Sequence, residues 1–136
     1  MSGAGERRGS GGPYEDRYGY SRVVRVGPLA VTAGCTSTVD GAVHAVGDAG
    51  RQAEIAFGIA LAALAEVGGA PESVVATRMS IVDAADADAV GLAHAGVFAD
   101  IRPAATMIVV AGLIDPEMLV EVEVTAWVGE LGRTSG

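Results

Sequence analysis

The stretch Pro103–Val128 reads PAATMIVVAGLIDPEMLVEVEVTAWV. It holds two strand patterns. Ala104 to Ala111 is an apolar run, and Met107-Ile108-Val109-Val110 is apolar on consecutive positions. Side chains alternate between the faces of a strand, so this run is apolar on both faces and wants both covered. Gly112 to Glu117 contains Asp115-Pro116, a turn signal. Leu119 to Val128 is the second strand. In it Glu121 and Glu123 alternate with Val120, Val122 and Val124, which puts both carboxylates on one strand face.

Upstream of Pro103, the residues Val90, His94, Val97, Phe98 and Ile101 form the apolar stripe of a helix. Asp83 is its cap candidate, and Pro103 ends it. Val74 to Val82 is a further strand, and Val74-Val75 is again apolar on both faces. Earlier, Asp48 is an N-cap candidate. Behind it Ile55, Ile59 and Ala63 recur at a spacing of four, as do Ala56, Ala60 and Leu64, until Gly68-Gly69 stops the pattern. Asp40-Gly41 and Gly47 put a turn in the segment 36–47, with room for a short strand. Ser21–Val26 and Leu29–Ala33 flank Gly27-Pro28 and read as a hairpin. Residues 1–12 are Gly/Ser-rich and are expected to be a disordered tail, residues 13–130 one domain, and residues 131–136 a polar tail.

The order is strand, strand, helix, strand, helix, strand, strand. It predicts a single domain with an α/β or α+β layer, two helices against one mixed sheet. Two helices leave the other face uncovered. A second copy of the chain is the simplest cover for it, so the pattern predicts an oligomer.

Composition excludes several classes. The chain has 136 residues, half of them apolar, and a net charge of −8. That supports one globular domain and excludes disorder of the whole chain. No apolar run approaches the ~18 residues of a membrane span. The first residues lack the apolar core of a secretory signal, so a cytoplasmic location is expected. All 9 basic residues are arginine. Lysine Schiff-base chemistry and lysine-dependent phosphate loops are therefore excluded. A pI near 4.5 argues against a nucleic-acid footprint. The single cysteine, Cys35, makes no intrachain disulfide, and it shows no metal-ligand spacing with His44 or His94.

The motifs in order resemble the YjgF/RidA family, the reactive-intermediate (enamine/imine) deaminases. Tyr20-Ser21, Val26-Gly27, Val31-Thr32-Ala33-Gly34 and Gln52-Ala53 carry the likeness first. Leu64-Ala65-Glu66-Val67-Gly68, Glu72-Ser73-Val74-Val75, Phe98, Pro103-Ala104 and Val120-Glu121-Val122-Glu123 complete it over about residues 18–128. The resemblance implies an α+β, chorismate-mutase-like fold with the two helices packed on one face, and a homotrimer with small-molecule clefts at subunit interfaces. It implies hydrolysis of 2-imino and enamine acids to 2-oxo acids and ammonia, with no metal and no organic cofactor. Neither a nucleic acid nor a membrane is an expected partner.

Carried over residue by residue, the resemblance makes Tyr20 the cleft tyrosine and Glu121 the glutamate that positions or activates water. Gly34, Cys35, Ala105 and Thr106 fall on cleft-lining positions. The family's substrate-gripping arginine follows Pro-Ala, but here that residue is Ala105. A family asparagine falls on Gly91, a cysteine on Met107 and a glutamine on Cys35. A guanidinium fork matches a carboxylate in two hydrogen bonds, so the missing anchor has to be sought elsewhere. Strand period points Arg22 the same way as Tyr20. Arg102 stands at the mouth of the strand that begins at Ala104. Arg78, mid-strand, wants a carboxylate such as Glu121 or Glu123. His94 reads as a packing histidine, His44 as exposed, and Cys35 as a small apolar filler or a thiol activated by a nearby cation. Two functions follow: a hydrolase (deaminase) of an imine, enamine or related small acid, or a non-catalytic binder of a metabolite or protein.

Overall fold

A computed structural model describes residues 5–129. Strand β1 (Glu6–Arg8) and the short helix α1 (Pro13–Tyr18) precede the hairpin of β2 (Val23–Val26) and β3 (Leu29–Thr32). Two short paired strands follow, β4 (Thr38–Val39) and β5 (Ala42–Val43), then α2 (Ala49–Ala65) and β6 (Val74–Ile81). Helix α3 (Ala87–Phe98), β7 (Ala104–Val109) and β8 (Val120–Trp127) complete the domain. Six strands form one sheet in the order β1-β2-β3-β8-β6-β7. β6 and β7 run parallel, joined by the crossover through α3, and the other neighbours are antiparallel.

The expected α+β domain with two main helices on one sheet face is observed, and α1 adds a third helix. Asp48 caps α2 by accepting a hydrogen bond from the Arg51 N–H at 3.0 Å. Asp83 caps a single 3-10 turn, Ala84–Asp86, and α3 begins only after it. The alternation in β8 divides the two faces. Val120, Val122, Val124 and Ala126 are buried under the helices with Ala53, Ala56, Phe57 and Leu64 of α2. Glu121, Glu123, Thr125 and Trp127 lie on the opposite, open face. Gln52, fully buried, bonds the Ala45 and Glu117 carbonyls and the Leu119 N–H, pinning α2 to the approach of β8.

The expectation of a disordered tail over residues 1–12 is corrected in part. Glu6–Arg8 pairs with Val23–Arg25 as an edge strand. All three β1 side chains are exposed. The strand is held by backbone pairing and leaves no apolar pattern in the sequence to read. Residues 1–4, and the tail 131–136, lie outside the described residues.

Candidate functional site

The start of the chain builds one half of the site. Glu15 is only 6% exposed although it belongs to a six-residue surface helix. The turn formed by residues 9–12 wraps its carboxylate. Oε1 accepts the Ser10 N–H at 2.8 Å, and Oε2 accepts the Ser10 hydroxyl. A Cβ on Gly9 would lie 2.6 Å from Oε1, so a side chain there would push against the carboxylate. Burial pushes the Glu15 carboxyl up, but the two Ser10 bonds and the charge of Arg22 outweigh it and hold the carboxyl below its ordinary value.

Arg22 links this turn to the sheet. Its Nη2 stands 3.5 Å from Glu15 Oε2, and its Nη1 donates to the Gly34 carbonyl at 2.5 Å. Nη1 also lies 3.7 Å from Cys35 Sγ, and the guanidinium carbon sits 5.7 Å from the Tyr20 ring centroid, a cation–π distance. Tyr20 and Arg22 therefore stand together, but both precede β2, so their proximity comes from the lead-in and not from strand period.

Glu121 closes the other side. A Cβ on Gly34 would fall 2.6 Å from Glu121 Cδ and 2.7 Å from Oε2, so the carboxylate rests directly against the glycine backbone. Burial and the neighbouring Glu123 raise the Glu121 carboxyl above its ordinary value, against the pull of Arg22. Cys35 is 2% exposed. Burial raises its thiol, Arg22 works against that, and Glu121 and Glu123 add to it. The thiol stays protonated at neutral pH, which fits the filler role and removes the basis for an activated nucleophile. Tyr20, Arg22, Gly34, Cys35 and Glu121 thus form one cluster.

The remaining candidates lie elsewhere. Ala105 pairs with the buried Thr77 of β6, which puts it on the helix side of the sheet. Thr106 pairs with Arg78, and Arg78 stands opposite Glu123, so these three share the open face with Glu121. Arg102 has a left-handed backbone, φ 58°, just before Pro103. It borders a shallow cavity of about 220 Å³ with His94, Phe98 and Pro103. His94 is a packing histidine: its ring centroid is 4.8 Å from that of Phe98 and 5.5 Å from that of Phe57, and Nε2 is 2.8 Å from Thr77 Oγ1. Burial lowers its pKa. His44 is exposed.

Glu15, Ser10 and Gly9 are site residues that the sequence reading passed over. Their signal is a Gly-Ser-Gly-Gly run closed by Pro13 and a glutamate two residues on, and it is indistinguishable by composition from a flexible tail. Among the described residues, no group of three or more His, Cys, Asp or Glu side chains could hold a metal, and no helix is long and apolar enough to cross a membrane.

Residues 14–128 match the family model described as Endoribonuclease L-PSP. An uncharacterized Streptomyces coelicolor protein is 42% identical over 120 residues, covering 88% of this chain and 90% of its own length. The crystal structure of a Mycobacterium tuberculosis member of the YjgF/YER057c/UK114 family superposes with a TM-score of 0.82 at 38% identity, covering 90% of this chain and 98% of that one. A Pseudomonas aeruginosa protein of unknown function gives 0.77 at 30% identity, with 90% of each chain covered. The pairing of an acidic strand face with the Tyr20–Arg22 lead-in therefore sits in a known frame, and this chain belongs to the YjgF/RidA family.

Proposed function

We propose that the chain works as a homotrimer that hydrolyses a small imine or enamine acid to a 2-oxo acid and ammonia, in clefts between subunits. The observation that carries this reading is the Glu121 carboxylate, set against the bare Gly34 backbone and raised in pKa, with Tyr20 and Arg22 beside it. A carboxylate of raised pKa is a stronger base than an ordinary one. Glu121 takes a proton from water as the water oxygen bonds to the carbon of the C=N group, and the C=N electron pair moves to nitrogen. The proton then passes from Glu121 to that nitrogen. As the C–N bond breaks, the proton of the new hydroxyl passes through Glu121 to the nitrogen, ammonia leaves with the C–N electron pair, and Glu121 is again a carboxylate. Tyr20 orients the substrate, Arg22 or Arg102 faces its acid group, and Thr106 offers a hydroxyl.

The intersubunit cleft rests on register. Ala105 and Glu121 occupy opposite faces of one sheet, and β7 is an edge strand. Side chains at those two positions can border a common cleft only when different subunits supply them. The open face also carries half-exposed Leu29, Val31, Ile108 and Trp127, an apolar surface suited to a neighbouring subunit.

Ala105 favours a second reading, a trimer that binds a small acid without turning it over. The two are separated by generating 2-aminoacrylate in situ with a dehydratase and following 2-oxo acid release. Release above the uncatalysed rate supports the hydrolase. A rate equal to background, with small-acid binding detected by calorimetry, supports the binder.

A further inference from the structure

Arg22 has two carboxylates within its electrostatic reach, and its geometry favours one of them. The ion pair it makes is with Glu15. Glu121 experiences Arg22 as a charge that lowers its pKa, while among the described residues no ion pair joins the two. The guanidinium is held from three sides. Glu15 takes Nη2, the Gly34 carbonyl takes Nη1, and the Tyr20 ring lies against the carbon. Gly34 separates the two groups: Arg22 bonds its carbonyl, and Glu121 rests where a Cβ would be. Glu15 is in turn fixed by Ser10, in a turn whose Gly9 lies directly against Glu15 Oε1.

We infer that Glu15 is a positioning residue: clamped by Ser10, it holds the Arg22 guanidinium away from Glu121 and so keeps the Glu121 carboxylate free of a direct ion pair and available for proton transfer. This rests on the proposed role of Glu121 as base. Without the Glu15 clamp, the guanidinium would turn toward Glu121, the other carboxylate on which its charge acts. A close guanidinium lowers a carboxyl pKa by about 1–3 units, and a weaker base transfers protons less well. The other charged or titratable groups around Glu121 are Glu123 on its own strand, Cys35 beyond β3, and Arg78 diagonally across on β6. Of the two arginines, Arg22 is the one whose charge acts on Glu121, and Arg78 stands opposite Glu123.

The test reads Glu121 directly. Full-length protein with 13C-labelled glutamate carboxyls is titrated by NMR, and the Glu121 resonance is assigned by its loss in Glu121→Gln. In Glu15→Gln, the Glu121 midpoint should fall by about one unit. The loss of a negative charge at position 15 would itself lower that midpoint slightly. The shift is therefore repeated in an Arg22→Gln background, where it should shrink to a few tenths of a unit, because coupled residues are non-additive. Ser10→Ala, which removes one hydroxyl bond, should give a smaller shift in the same direction, and it takes the place of Glu15→Gln if that variant does not fold. A Glu121 midpoint that stays put or rises in the folded variant would overturn the inference. So would an equal shift with and without Arg22. The titration needs no turnover. A wild type that fails to release 2-oxo acid therefore removes the base role of Glu121 and leaves the clamp to stand or fall on its own result. Where turnover is present, the acid limb of kcat/KM should move to lower pH in Glu15→Gln together with the NMR midpoint.

Discussion

Two glycines outside the strands stand against carboxylates. Gly34 leaves space for Glu121, and Gly9 leaves space for Glu15. Gly34→Ala should displace the Glu121 carboxylate by the volume of one methyl group. Since the displaced atoms belong to a side chain at a half-exposed position, the fold should survive with a cost of about 1–3 kcal/mol. Thermal melts should show a modest loss, while turnover or small-acid binding falls to background. Unchanged turnover would separate Glu121 from the chemistry. Glu121→Gln keeps the shape and removes the base. It should abolish turnover with little change in melting temperature, and a variant that unfolds would assign Glu121 a structural role instead. Ala105→Arg tests the missing anchor. A charge-assisted hydrogen bond of about 2 kcal/mol corresponds to at most about thirtyfold in rate. Since Ala105 lies on the helix side of an edge strand, a gain is expected only in the assembled protein, where a neighbour's Glu121 can complete the cleft.

At the scale of elements, most of the architecture was legible in the residues. The period of four in α2, the cap at Asp48, and the Val/Glu alternation of β8 each have a single structural meaning, and each is found. β1 and the turn around Glu15 were not legible. An exposed edge strand is held by backbone bonds, which carry no side-chain signature, and a glycine-rich turn reads as a linker unless its buried partner is known. The cluster of Tyr20, Arg22, Gly34, Cys35 and Glu121 was nameable residue by residue. The Arg22–Glu15 pairing was not, because it depends on how a short helix folds back on the sheet. The sign of the Glu15 contribution to stability follows from its lowered carboxyl pKa. The contribution is present above the unfolded value, about pH 4.3, and is lost as pH falls through the folded value. The Arg22 N–H donates to the Arg8 carbonyl at 2.8 Å and reports the docking of β1. Its hydrogen-exchange protection should drop on acidification below about pH 4, and Glu15→Gln should lower that protection already at neutral pH. Protection independent of both pH and position 15 would show that the lead-in is held by strand pairing alone.

For the whole molecule, the decisive question is what lies on the open face of the sheet. Leu29 is 46% exposed, Val31 37%, Ile108 39% and Trp127 41%, and they share the open sheet face with Glu121. Apolar exposure of this kind is what a subunit interface would cover. Closed symmetry then limits how copies can meet. Light scattering coupled to size exclusion should return about three times the chain mass of 13.6 kDa at micromolar concentration. A charge placed in the middle of the face tests the coupling between assembly and site. Val31 faces Thr125 on β8 and Val24 on β2, away from the helices. Val31→Asp should therefore leave the helix-side core untouched while burying an unpaired carboxylate in any interface formed there, a cost of several kcal/mol. The expected result is a folded monomer with helical content intact, a lower melting temperature, and no turnover or small-acid binding, because the Ala105 edge and the Glu121 face no longer meet. A monomer that retains wild-type turnover would confine the chemistry to one chain. An assembly unaffected by Val31→Asp would move the interface off this face and remove the register argument for an intersubunit cleft.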